Sequence, residues 1–316
     1  MTTYLVTGGA GFIGSHIVTA LVERGGRVRV LDNFSSGKRG NLDHLSGKVE
    51  LVAGDLADRA AVDRAVKDVE VVFHQAALAS VPRSVAEPLA THSACVTGTV
   101  NLLDAARQNG VRRVVYAASS AAYGDRPEPV KHEGLMPAPI SPYAAAKLAA
   151  EFYCQAFTAT YGLETASLRY FNVFGPRQDP QGAYAAVIPK FIVEMLAGRA
   201  PTIFGDGKQS RDFVYVGDVV RANLLAAESK KAVGKVMNVA SGQARSLLDL
   251  VAAINNILGT SIRPVLAESR VGDVRDSLAD ISSARELLGY EPSVKFEDGL
   301  RLTIEDFRAA SRESRK

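Results

Sequence analysis

Cysteine is almost absent from this 316-residue chain, which has only Cys95 and Cys154. Two cysteines build no disulfide framework, and neither a C-x-x-C pair nor zinc-ligand spacing occurs. The five histidines show no ligand spacing either, and we read them as structural, His74 included. No apolar run approaches the ~20 residues that span a bilayer, so no membrane segment is expected. An excess of one charge is also missing. The formal net charge is +3 and no Lys/Arg cluster dominates, which argues against a nucleic-acid partner. Internal repeats and low-complexity stretches are lacking. The opening "TTYLVTG" has no basic start or cleavage site of a signal peptide, and the expected location is the cytoplasm. What remains, 47% apolar and 22% charged, is ordinary for a folded soluble protein, and the nearly neutral balance fits a small-molecule enzyme about as well as any other class. The length allows one large α/β domain or two smaller ones.

Short β-branched runs at 4–8, 27–32, 49–55, 69–77 and 112–119 alternate with amphipathic stretches such as "IGSHIVTALVERG". Strict alternation predicts crossover units and a doubly wound parallel sheet. Longer helices are expected at 88–109 and 142–161. After "LETASLRYFN" the rhythm breaks and the elements shorten, which predicts a second, smaller lobe. The expected division is 1–172 for a Rossmann-type nucleotide-binding domain, with 213–238 returning to it, and 173–316 mainly for substrate. The tail "AASRESRK" is expected to be disordered and solvated.

Gly8, Gly11 and Gly14 follow a strand and open a helix. The first permits a sharp turn, the second lets a pyrophosphate approach the backbone, and the third lets helix and strand pack closely. Phosphates then rest on the helix N-terminus. A bare glycine triplet also makes ordinary tight turns. Here the strand–turn–helix context is met, and Asp32 closes the second strand at the spacing of a ribose acceptor. Its carboxylate would repel a 2′-phosphate, so NAD is favoured over NADP. Lys38 and Arg39 keep NADP open as the minority reading. Asp55 and Leu56, ending the third strand, are placed to meet the adenine; a strand-end turn is the alternative.

"SPYAAAK" sets Tyr143 and Lys147 one helical turn apart, on one face. A lysine ammonium there, with a positive nicotinamide ring, would draw the phenol toward phenolate and make it a base. Ser119 and Ser120 in "AASSAAYG" fall at the sheet's C-terminal edge, where open α/β sheets bind ligands. Alone, such a Tyr–Lys pair is common by chance on surface helices.

Taken together, "TGGAGFIG", "LDNFSSG", "GDL", "HQAA", "SSAAYG", "SPYAAAK", "LRYFNVFGPRQ", "RDFVYVGDV" and "GDVRDSLADI" resemble the extended short-chain dehydrogenase/reductases, in their nucleotide-sugar epimerase/dehydratase branch. The resemblance covers nearly the whole chain. It implies a Ser119–Tyr143–Lys147 triad, with Tyr143 as base, Lys147 as its tuner and ribose ligand, and Ser119 on the sugar hydroxyl. It implies cofactor contacts from Phe12, Ile13, Asn33, Gly37, Gln75, Ala76 and Ala77, beside the glycines, Asp32, Asp55 and Leu56. For a UDP-sugar it implies Ser80, Ser119, Ser120, Tyr143, Asn172, Ala186, Val187, Arg211, Arg275 and Ser282. Asn172 would bind a phosphate, Ala186 and Val187 would present backbone to uracil, and the two arginines would neutralise the pyrophosphate. A surface salt bridge is the alternative for either arginine. No metal is implied.

Within that family, dehydratases carry an Asp-Glu pair after the catalytic Ser or Thr, and glucuronate decarboxylases usually a Glu. Here Ser120 and Ala121 stand there. With no second acid/base, the implied exit of the 4-keto intermediate is return of the hydride from the other face, which is epimerisation. Epimerisation or decarboxylation of UDP-glucuronate is the enzyme alternative, and a silent dinucleotide-binding regulator the non-enzyme one. The chain departs from the pattern at Cys95, where relatives have Asn, which puts a cofactor contact in doubt. Ser282 is counted as the small residue beside the sugar's 2-substituent, which implies room for an acetamido group; a helix cap is the competing role. A homodimer through the two long helices is expected, since Leu89, Val96, Val100, Leu103, Leu148, Phe152 and Phe157 exceed what their own sheet should cover.

Overall fold

In β1 (Thr3–Thr7), Leu5 and Val6 are both fully buried, yet they enter different cores, as the two-residue period of a strand requires. The computed structural model describes residues 2–180, 186–268 and 275–313. After β1 come α1 (Phe12–Glu23), β2 (Arg27–Asp32), β3 (Val49–Ala53), α2 (Arg59–Val66), β4 (Val71–His74), α3 (Val81–Ala86), α4 (Pro88–His92), α5 (Gly98–Gln108) and β5 (Arg113–Ser119). Then follow β6 (Val130–Lys131), α6 (Pro142–Tyr161), β7 (Glu164–Tyr170), β8 (Asn172–Phe174), α7 (Val187–Leu196), β9 (Thr202–Phe204) and β10 (Ser210–Tyr215). The last are α8 (Val216–Glu228), β11 (Lys235–Val239), β12 (Ala244–Ser246), α9 (Leu247–Leu258), β13 (Val265–Ala267), β14 (Asp276–Ala279), α10 (Ser282–Leu288) and α11 (Phe296–Glu313).

Seven strands make one parallel sheet in the order β11-β7-β5-β4-β1-β2-β3. The order reverses between β1 and β4, which is where such sheets open a ligand crevice. One face buries Ile17, Val18 and Leu21 of α1 with Val219 and Ala222 of α8. The other buries Val62 of α2, Leu102 of α5 and Phe157 of α6. Each such fully buried side chain contributes about 1.5–3 kcal/mol. A separate core of Phe174, Phe191, Phe213, Leu250 and Leu300 sits in the smaller lobe, built on β10, β12, β14, β6 and β8. The chain crosses between lobes repeatedly, because β8 leaves the sheet after β7 while α8 and β11 return to it.

Two expectations are corrected here. The helix expected at 88–109 is three pieces: α4, a π-helical turn at Ser93–Thr97, and α5. Inside it the Thr99 hydroxyl donates to the Cys95 carbonyl at 2.6 Å, a side chain competing for the helical ladder. Such π turns gather at functional sites. The tail is helical and not disordered up to its described end, although residues 309–312 are exposed, as expected of solvated residues. Ala309–Glu313 continue α11, whose Leu300, Thr303, Ile304 and Phe307 are buried at helical spacing. Residues 314–316 lie outside the described residues, as does "GDV" of the "GDVRDSLADI" motif.

Candidate active site

A single cavity of about 1180 Å³ runs from the sheet's C-terminal edge into the smaller lobe. That exceeds the ~300–1,000 Å³ of an ordinary small-molecule site and suits two ligands end to end. At one end lie Gly8, Gly11, Phe12, Ile13 and Gly14. Gly8 has φ +66°, and a Cβ on it would stand 2.7 Å from Ala76 N. A Cβ on Gly14 would sit 2.1 Å from Gly8 O, so that position excludes any side chain. A Cβ on Gly11 would meet only Gly8 O, at 3.1 Å, on an otherwise open side. The turn thus sets backbone without side chains against the cavity at Gly8, Gly11 and Gly14.

Asp32 ends β2, lines the cavity and is buried. Its Oδ2 accepts from Ala10 N at 2.9 Å and its Oδ1 from Phe34 N at 2.8 Å, which aims the carboxylate. Gly37 does not line the cavity. It closes behind Asp32, since a Cβ there would lie 2.9 Å from Oδ2. Asn33 Nδ2 donates to Asp55 Oδ2 at 2.6 Å, and both line the cavity with Leu56. Lys38 is committed to Asp179 at 3.2 Å, and Arg39 stacks on Phe34. Each of the two cations that kept a 2′-phosphate in play thus has a protein partner, Lys38 in an exposed pair at the cavity rim.

Gln75, Ala76 and Ala77 follow β4 along the cavity. Gln75 Nε2 donates to Asn223 Oδ1, and its Oε1 lies 3.2 Å from the Tyr170 hydroxyl. Behind them His74 is buried and neutral, burial having lowered its pKa to about 3. The Thr99 proton goes to Cys95 O, so His74 Nε2–H must donate to Thr99 Oγ1 at 2.9 Å. Its Nδ1 therefore accepts from Thr7 Oγ1 at 2.8 Å. The imidazole thus ties β1, β4 and the first turn of α5 together with one fixed tautomer, a structural role.

Ser119 ends β5 and caps the next turn, its Oγ accepting from Ala121 N at 3.2 Å. α6 begins at Pro142, with Ser141 as N-cap accepting from Ala144 N; such a cap contributes about 1 kcal/mol. Tyr143 in its first turn and Lys147 one turn later both reach the cavity beside Ser119. Burial pushes the Tyr143 phenol up to about 12, while its hydrogen bond with Ser119 pulls the other way. Burial lowers the Lys147 pKa. Lys147 Nζ donates to Ala117 O at 2.8 Å and sits 5.0 Å over the Tyr116 ring. One turn beyond, buried Glu151 takes two bonds from Arg169 of β7, at 2.9 and 2.7 Å, which locks α6 against the sheet.

In the smaller lobe Asn172, Ala186, Val187 and Arg211 line the cavity. Arg211 is held by the carbonyls of Ser210 and Arg275, at 2.8 and 3.3 Å. Its neighbour Asp212 points the other way along β10. There it accepts from Ser241 N and Oγ, Gly242 N and Ala279 N. Burial pushes that carboxyl up to about 6 against these four donors.

Four expected substrate residues are not brought to the cavity wall. Ser80 caps α3, its Oγ accepting from Arg83 N. Ser120 turns into the 3₁₀ segment after Ser119. Arg275 is 61% exposed in its side chain and grips Asp206 through two bonds, at 3.2 and 3.0 Å. Ser282 is exposed at the start of α10, because β14 already ends at Ala279 and the chain turns away. It is no cap either: Asp280 Oδ1 accepts from Ser282 N at 2.8 Å. Conversely, Arg83, Arg177, Gln178, Phe204 and Gln209 line the cavity without having been singled out. Gln178 stood in the quoted "FGPRQ", but nothing in the spacing says which of those side chains turns inward.

Sheet order, the glycine turn and the carboxylate at the end of β2 define the class, an α/β dinucleotide-binding protein of Rossmann type. Residues 4–240 match the NAD dependent epimerase/dehydratase family, and the chain belongs to it; its cofactor is NAD. It is similar to the solved UDP-N-acetylglucosamine 4-epimerase of Methanobrevibacter ruminantium M1, with TM-score 0.94, 44% identity, and 98% of this chain and 99% of that one covered. It is 41% identical over 311 residues to the UDP-glucose 4-epimerase of Mycolicibacterium smegmatis, covering 97% of this chain and 99% of that one. It is 33% identical over 315 residues to the UDP-N-acetyl-alpha-D-glucosaminuronate decarboxylase of Bacillus cytotoxicus, covering 96% and 97%.

Proposed function

We propose that this protein is a UDP-sugar 4-epimerase acting on a UDP-hexose, plain or N-acetylated, through a 4-keto intermediate. The residues around Gly8, Gly11, Asp32 and Lys147 would hold NAD, which would supply reversible hydride acceptance at sugar carbon 4. Tyr143 takes the proton of the 4-hydroxyl as the ketone forms and gives it back as the ketone is reduced. Ser119 bonds that oxygen and favours phenolate at Tyr143. Lys147, fixed by Ala117 O, sets a positive charge one turn from the phenol. Asn172 and Arg211 hold the diphosphate while the keto sugar turns its other face to the cofactor.

One observation carries epimerisation over elimination. Among the described residues, the carboxylates lining the cavity are Asp32, Asp55 and Asp179. Asp32 and Asp55 hold the loops after β2 and β3, and Asp179 pairs with Lys38. None follows Ser119, where an acid/base would have to stand to expel a hydroxyl. A second reading, a UDP-glucuronate substrate, draws on Arg83, a cation in the cavity wall. Its Nε is taken by Glu87 at 3.1 Å, so we rank the neutral hexose first. Incubation with UDP-glucose, UDP-N-acetylglucosamine and UDP-glucuronate, without added NAD, separates these. A 4-epimer of either hexose supports the proposal, whereas carbon dioxide release or turnover of the uronate alone refutes it.

A further inference from the structure

After β8 the chain heads into the smaller lobe, yet residues 176–179 turn back and grip the nucleotide-binding lobe. The Pro176 carbonyl accepts from His16 Nε2 of α1 at 2.9 Å. A carbonyl can only accept, so that nitrogen carries the proton, and burial keeps the ring neutral by lowering its pKa to about 4. Arg177 has a left-handed backbone, φ +63°, a strained state that persists in a non-glycine residue only where its surroundings enforce it. Its Nη1 donates to Thr19 Oγ1 at 3.2 Å and to Ser15 Oγ at 3.4 Å. Both hydroxyls give their own protons to helix carbonyls, of Ser15 and Phe12, which leaves their lone pairs for the guanidinium. From α11, Asp306 Oδ2 accepts from Arg177 N at 3.0 Å.

The last grip crosses the cavity. Lys38 follows β2 in the nucleotide-binding lobe, and its backbone N donates to Ala10 O of the glycine turn at 2.9 Å. Its Nζ meets Asp179 Oδ1 at 3.2 Å, and both residues line the cavity. Their side chains are 58% and 46% exposed, so the pair lies on the solvent side of the cavity and not beneath it. We infer that Lys38 and Asp179 are cofactor-retaining residues: they buckle residues 176–179 as a strap across the Asp32 end of the crevice, and NAD leaves only when that pair opens. The inference goes beyond the UDP-sugar reading and does not depend on which sugar is turned over. A strap of this kind suits a reaction whose hydride must return within one turnover.

The test measures how fast NAD leaves the purified, NAD-loaded protein. Alcohol dehydrogenase and ethanol in excess convert released NAD to NADH, which is read by fluorescence. Lys38→Glu and Asp179→Lys each set like charges face to face, and each should speed release about threefold or more, the scale of an exposed ion pair. Carrying both swaps restores the pair in reverse and should return release to within about twofold of wild type. Both side chains are about half exposed, so the variants should fold, and their melting temperatures check it. Single swaps that release NAD at the wild-type rate overturn the proposal. A double swap that stays as fast as the single ones overturns it too, because the two residues then do not act through each other. If Lys38→Glu alone speeds release and Asp179→Lys does not, Lys38 contacts the cofactor directly and the strap is wrong. Wild type that sheds NAD within seconds refutes retention without any variant.

Discussion

Burial works against the ionised form of Tyr143. Burial pushes the phenol up to about 12 and the Lys147 ammonium down, so each group resists its charged form. Tyr143→Phe should leave NAD content unchanged and reduce kcat by about a hundred- to ten-thousand-fold, measured by coupled assay. The bond from Ser119 acts in the opposite sense, since it favours the ionised phenol. Removing it raises the pKa of the base, so the rising limb of kcat/KM against pH should move to higher pH in Ser119→Ala. A limb that stays in place, or moves to lower pH, would show that Ser119 does not tune Tyr143.

Whole elements were more legible than the side chains within them. The sheet strands could be read because buried β-branched runs and their boundaries are local in sequence. α6 could be read because Ser141, Pro142 and the left-handed Gly162 punctuate it. The break in the first long helix could not, since it depends on Thr99 serving Cys95 and a histidine from another strand at once. The same limit explains Arg275 and Ser282. Which arginine faces a cavity depends on strand pleat, and counting along a motif does not reveal that β14 stops at Ala279. α11 was missed because its charged outer face hid the buried Leu300–Ile304–Phe307 stripe. Two predictions belong at this scale. Gly14→Ala forces a Cβ to within 2.1 Å of Gly8 O, and the protein should be recovered without bound NAD, read from its 260/280 nm absorbance ratio. Glu151→Gln leaves Arg169 charged and buried without its carboxylate. It should destabilise the fold by about 3–5 kcal/mol in denaturant titration, and a change under 1 kcal/mol would mean α6 is held by packing alone.

At the scale of the molecule, the helices expected to pair two copies are only partly spent on their own core. Val96, Leu103 and Phe157 are buried, but Leu89 is 85% and Phe152 52% exposed, with Val85 and Tyr153 near them in sequence also exposed. We propose that this face joins two copies in solution. Light scattering should report a dimer at micromolar concentration, and Leu89→Asp with Phe152→Asp should shift it to monomer; a wild-type monomer would refute this. No helix among the described residues is long and apolar enough to cross a membrane.

The order of the sheet has a consequence for how the chain is made. β11, residues 235–239, pairs with β7, residues 164–170, at the sheet's edge. During synthesis β7 therefore emerges some 65 residues before the strand that covers it, and the smaller lobe's α7, β9 and β10 come between. Until then the flank of β7, with Ala166 and Leu168 among its apolar residues, is an open pairing template of the kind that recruits other chains. A chain released at residue 230 should accordingly partition into aggregates or onto a holdase, while one released after residue 240 should bury that edge, and ribosome-released truncations sorted by sedimentation would locate the switch.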